Sequence, residues 1–177
     1  APDTSHIVGS PRSLDSIDVL EGWNLVGSIS YSVDTALISS EPPGIRASLW
    51  YGYAGGYAAS SALLPGQGYW IRASAAGRFI LDAAASFLSK PKEPTQTHFL
   101  VSADEFIVTE KSGAQQSLYI EERLTPTGAL SELPPQGPEG TFDARFASQK
   151  SIESAKSSGG QTITIRSSSY PIKFKWN

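Results

Sequence analysis

A hydrolase needs a nucleophile, a base and a group that orients the base, and the 177-residue chain offers two histidines for that work, His6 and His98. Both stand beside apolar residues near expected domain edges. Serine is plentiful, yet no Gly-x-Ser-x-Gly elbow occurs to lift one clear of a strand-to-helix turn. Carboxylates come in near neighbours: Asp15 with Asp18, Asp104 with Glu105, and Glu121 with Glu122. Glycoside hydrolysis needs two carboxyls converging on one bond, and adjacent residues of a strand point to opposite faces, so the last two pairs diverge. Cysteine is absent, which removes the thiolate nucleophile, the thiolate metal ligand and the disulfide together. Gly55-Gly56 and Gly159-Gly160 lack the strand-to-helix setting that cradles phosphate. The residues therefore predict no catalytic centre, no metal site and no cofactor. The one alternative is a structural calcium ion held by loop carbonyls with Glu132, Glu139 and Asp143, although no Asp-x-Asp-x-Asp-Gly loop is present.

Recognition has a better candidate in Leu49-Trp-Tyr-Gly-Tyr-Ala-Gly-Gly-Tyr57. A strand through it sends Trp50 and Gly52 to one face and Tyr51 and Tyr53 to the other, so one aromatic face must meet solvent unless both are covered. Aromatic side chains stack on sugar rings and also anchor protein interfaces. Trp50, Tyr51, Tyr53 and Tyr57 are accordingly the candidate ligand-binding or interface residues, with plain core packing as the competing role.

The elements that must carry these residues are strands. Gly, Pro, Ser and Thr punctuate short apolar stretches, and no 3.6-residue period persists for three turns. Candidate strands are residues 16–20, 23–31, 46–53, 68–74 and 77–82, then 97–101, 104–109, 115–121, 141–147, 161–167 and 170–176. Residues 33–40 and 56–64 are the two stretches able to make a helical turn. Ile172, Phe174 and Trp176 alternate with Lys173 and Lys175, the pattern of a half-buried strand, and Trp23, Trp70 and Trp176 read as core anchors. Phe142, Ala144 and Phe146 alternate with Asp143 and Arg145, a pair placed to bridge as ions. Pro65-Gly66 signals a type II turn. The Ser89-Lys-Pro-Lys-Glu-Pro-Thr-Gln96 stretch reads as a stiffened, solvated linker. The expected fold is all-β: two antiparallel β-sandwich-like domains in tandem, residues 20–88 and 97–177, joined by linker 89–96 and preceded by an extended arm or first strand, residues 1–19.

Net charge of −3, thinly and evenly spread, provides no basic footprint for nucleic acid and no polybasic stripe for lipid. No apolar run approaches the roughly 18 residues of a membrane helix, which argues against membrane insertion. Methionine is absent, an initiator included, so cleavage of a precursor and export are expected.

Two segments carry a resemblance. Gly22-Trp-Asn-Leu-Val-Gly27, Leu64-Pro-Gly-Gln-Gly-Tyr-Trp-Ile71 and Gly77-Arg-Phe-Ile-Leu81 resemble a GWNLIG, PGKGYWV and GxIxL module near the C-termini of secreted bacterial proteins of Bacteroidetes and Chlorobi-like lineages. Leu118-Tyr119, Glu132-Leu-Pro-Pro135, Gly140-Thr-Phe-Asp-Ala-Arg-Phe146, and Tyr170-Pro171 with Trp176 resemble the LYF, ELPPxPPxGxFDxRF and YPxxxxW region that commonly follows it. Gln67 stands where that family usually has Lys, and Gln136-Gly137 where it has a second proline-rich step. The resemblance covers roughly residues 16–177. It implies a bacterial, extracellular or cell-surface protein delivered by type IX secretion, ahead of a sorting domain that is removed.

These readings together predict a non-enzymatic structural protein that self-assembles. The N-terminal arm carries Ile7, Val8, Leu14, Ile17 and Val19, which are costly to leave in water. Leaving its own domain to add a strand to a neighbour, the arm would build a head-to-tail homopolymer, a surface filament. Folding back onto its own sheet is the competing arrangement. The alternative function is a carbohydrate-binding or adhesion module, with polysaccharide as partner.

Overall fold

A computed structural model describes residues 9–84, 103–123, 130–155 and 160–177, which leaves linker 89–96 and the expected strand 97–101 outside the described residues. The architecture is all-β. In the first half run β1 (Leu14–Val19), β2 (Gly22–Gly27), β3 (Val33–Asp34), β4 (Ser39–Glu41), β5 (Tyr51–Tyr53), β6 (Tyr57–Ala59), β7 (Ala62–Leu63), β8 (Gly68–Ala73) and β9 (Gly77–Asp82). They form antiparallel sheets in the orders β1-β9-β4, β2-β8-β5-β6 and β3-β7. The alternating inner faces of these sheets supply one core, in which Trp50 packs edge-on to Phe79 at 5.2 Å between ring centroids, among Val26, Val33, Leu63, Ile71 and Leu81.

The motif residues of this half are turn-builders. Asn24 closes the β1–β2 turn, accepting from Leu20 N–H at 3.0 Å and donating to Leu20 C=O at 2.8 Å around Gly22, whose φ of 97° favours glycine. Gly66 has φ 75° at the third position of the turn after Pro65, as a type II turn requires. Leu64 N–H then donates to the Tyr69 hydroxyl at 2.8 Å, pinning that turn to β8.

The second half holds β10 (Ala103–Thr109), β11 (Gln115–Glu121), β12 (Asp143–Phe146), β13 (Ile152–Ser154), β14 (Ile163–Arg166) and β15 (Lys173–Trp176). A four-stranded sheet in the order β13-β11-β10-β15 packs on the two-stranded sheet β12-β14. Val108 and Leu118 of the first meet Phe142, Ala144 and Phe146 of the second in a separate core. The Glu110 carboxylate accepts from the hydroxyls of Ser112 and Ser167, which hold it below the ordinary carboxylate range and clasp the β10–β11 turn to the loop before β15.

Three expectations need correction. Residues 33–40 and 56–64 form strands β3, β4, β6 and β7 rather than helical turns, because their backbone groups find partners across sheets. Trp176 is no core anchor. It is 60% exposed and Phe174 57%, since the two strands β12 and β14 cannot cover a four-stranded sheet out to its edge. Asp143 and Arg145 do pair, but not on a solvated face: every residue of β12 is buried.

Candidate functional site

The aromatic segment turns out to be the joint between the two halves. Trp50 is buried in the first core, while Tyr51 and Tyr57 leave it to pack with Leu49 against Leu133, in a third cluster that Leu130 and Trp23 flank. The Gln116 side-chain amide meets the β6 edge as a further strand would: its Oε1 accepts from Tyr57 N–H at 2.7 Å and its Nε2 donates to Tyr57 C=O at 2.5 Å. The Tyr57 hydroxyl donates to Pro135 C=O at 2.8 Å, and that of Tyr53, which is 44% exposed, to Phe142 C=O at 3.3 Å. Gly56 makes the approach close enough. A Cβ there would lie 2.0 Å from the Gln115 carbonyl oxygen. The Glu132-Leu-Pro-Pro135 loop serves this joint, with Leu133 buried in it and Glu132 paired to Arg72 of β8 at 3.2 Å.

Burial raises the tyrosine hydroxyls above the ordinary phenol range. The shift is largest for Tyr51; for Tyr53 and Tyr57 the Asp143 carboxylate adds to it. All three stay protonated at neutral pH, and Tyr53 and Tyr57 act as donors. A cavity of about 130 Å³, lined by Tyr51, Tyr57, Gln116, Tyr119 and Ser151 among others, lies in the joint. It is well below the roughly 300 Å³ at which small-molecule sites begin.

The other candidate residues are scattered. Asp15 binds Arg12 at 2.7 Å, which lowers its pKa, and Asp18 faces Arg78 of the neighbouring β9 at 3.7 Å. Glu105 accepts from Asn177 at 2.9 Å and from the Tyr119 hydroxyl at 3.2 Å. Asp143 holds Arg145 in a bidentate pair, Nε to Oδ1 at 2.6 Å and Nη2 to Oδ2 at 2.5 Å, so both its oxygens are taken. Glu132, Glu139 and Asp143 therefore do not assemble as a calcium cage, and no three metal-ligating side chains converge among the described residues. His6, His98, Ile7 and Val8 lie outside the described residues. Leu14, Ile17 and Val19 sit on β1, which pairs along its length with β9 of its own sheet. Leu14 is 61% exposed, Ile17 half-buried and Val19 buried.

What sequence reasoning missed is the open end of the second sandwich. Phe106 stacks on Phe174 at 5.5 Å and meets Trp176 edge-on at 5.8 Å, forming an aromatic seam on an edge strand whose outer side carries Lys173 and Lys175. The signal was the alternation in residues 172–176, which reports two faces without saying that either is covered. No family model, curated protein or solved structure matches the chain.

Proposed function

We propose that the chain is a non-enzymatic structural subunit of the bacterial cell surface that assembles with copies of itself through β-strand contacts, as the secretion-module resemblance and the N-terminal strand both favour. The observation that carries this reading is the seam at β15. Phe174 and Trp176 stand exposed on a strand with a single sheet neighbour, β10, among the described residues, and an unpaired apolar edge is a template for another chain. Catalysis is not part of this reading, since the candidate carboxylates Asp15, Glu105, Glu132 and Asp143 each bond a different partner. Purified chain is expected to form polymers visible by electron microscopy and to lose them when residues 1–19, which include all of β1, are deleted. A chain that sediments as a monomer at high concentration would refute the reading.

A carbohydrate-binding role is the second reading, favoured by the same exposed rings, Phe174 and Trp176. Trp50 cannot serve it from the core. If sugar is bound, the chain is retained on a polysaccharide column and released by soluble sugar, and Trp176→Ala abolishes retention. Our expectation is passage without retention.

A further inference from the structure

The exposed edge at β15 needs a partner, and the backbone supplies one at β1. β1 is the outer strand of the sheet β1-β9-β4, and β15 the outer strand of β13-β11-β10-β15. Hydrogen bonding shows which residues face outward on each. Ala83 N–H donates to Ser13 C=O at 2.8 Å, so the odd-numbered residues of β1 face β9, and Leu14, Ser16 and Asp18 direct their backbone groups away from the sheet. Asn177 N–H donates to Glu105 C=O at 2.9 Å, so Lys173 and Lys175 face β10, and Phe174 and Trp176 present theirs outward. Neither outward row has a ladder partner among the described residues.

The side chains then decide what fits. Two β15 edges join poorly in antiparallel, because any register that sets Phe174 opposite Phe174 or Trp176 also sets lysine opposite lysine. Antiparallel pairing of β15 with β1 has the same parity and places Phe174 and Trp176 beside Ser16 and Asp18, and the lysines beside Ile17 and Val19. Parallel pairing reverses this: an outward residue on one strand lies opposite a sheet-facing residue on the other. Ser16 then lies opposite Lys173, Ile17 opposite Phe174, Asp18 opposite Lys175 and Val19 opposite Trp176. Apolar meets aromatic on the buried face and acid meets base on the outer one. Asp18 is free to take part, since its carboxylate is 88% exposed in its contact with Arg78.

We infer that copies join edge to edge, β15 of one lying parallel to β1 of the next, in the register that sets Asp18 opposite Lys175. The inference rests on the assembly reading and specifies its joint: β1 stays on its own sheet and lends its free edge instead of leaving. Asp18 N–H donates to Phe174 C=O, Trp176 N–H to Asp18 C=O and Phe174 N–H to Ser16 C=O. One sheet then runs through the contact in the order β4-β9-β1, β15-β10-β11-β13. The two surfaces differ, so the contact is heterologous and repeats from copy to copy.

Absence of cysteine makes the test direct. Ser16→Cys with Lys173→Cys places two thiols on exposed, directly opposed positions, about 5 Å apart at Cα and within disulfide range. Oxidation of the assembled double variant should give a covalent ladder of chain multiples on a denaturing gel, whereas Leu64→Cys with Lys173→Cys should not. Asp18→Lys or Lys175→Asp alone should raise the critical concentration for assembly roughly tenfold, and the two together should restore it. Polymers that form without a ladder and ignore both charge reversals would overturn this joint while leaving assembly standing. Failure of the unaltered chain to polymerise at any concentration would remove both.

Discussion

Replacing Asp143 by Ala is expected to cost about 3–5 kcal/mol of folding stability, because it strands the Arg145 guanidinium in a site where both partners are 2% exposed. That is a large share of the roughly 5–15 kcal/mol available to a folded domain. Among the described residues the guanidinium has one other side-chain acceptor, Gln149 Oε1 at 3.2 Å, which does not replace the bidentate pair. Removing both charges as Asp143→Leu with Arg145→Met should be markedly milder than the single change, since no uncompensated ion is left behind. Urea unfolding of the two variants against the unaltered chain decides it. A single variant within about 1 kcal/mol of the parent would mean that water reaches β12.

Changing Gly56 to Val should uncouple the halves. A backbone carbonyl at 2.0 Å from the new Cβ cannot swing aside as a side chain would, so the β5–β6 hairpin must withdraw from Gln115. Overpacking of this kind costs about 1–3 kcal/mol, and withdrawal also strands the Gln116 amide, which adds about 1–3 kcal/mol. The two halves have separate cores, so the expected result is that a single thermal transition splits in two, read by calorimetry. Gly27→Ala is the control, since a Cβ there meets nothing within 4 Å and the φ is ordinary. An unsplit transition in Gly56→Val would show that the joint contributes little to cooperativity.

How far the sequence reaches is clearest at particular strands. Residues 77–82 and 115–121 are β9 and β11 with the bounds their composition predicts, because six or seven residues suffice to show a pattern. β3 and β7, of two residues each, have no period to detect. The Ala-rich stretch of residues 56–64 looked compatible with a helical turn, and Gln116, far along the chain, makes it a strand edge. Trp176 and Asp143 are opposite errors of one kind. Alternation in residues 172–176 and 142–146 reports two faces correctly, but the extent of the covering layer is a tertiary fact: it fails to reach β15 and it closes over both sides of β12. The aromatic segment was legible as a place where something packs, though not that its partner is the other half of the same chain.

The Gln116 contact also sets a clock. Tyr57 and Gln116 are 59 residues apart, so a chain emerging from the ribosome N-terminus first completes its first core well before the amide that closes the β6 edge has appeared. At a synthesis rate of about 5–20 residues per second, the edge waits several seconds. During that interval the backbone groups of Tyr57 are open to any extended segment nearby, including the same edge of a sister chain. Slowing elongation between the codons for Tyr57 and Gln116 should therefore increase insoluble product without altering a single atom of the finished protein.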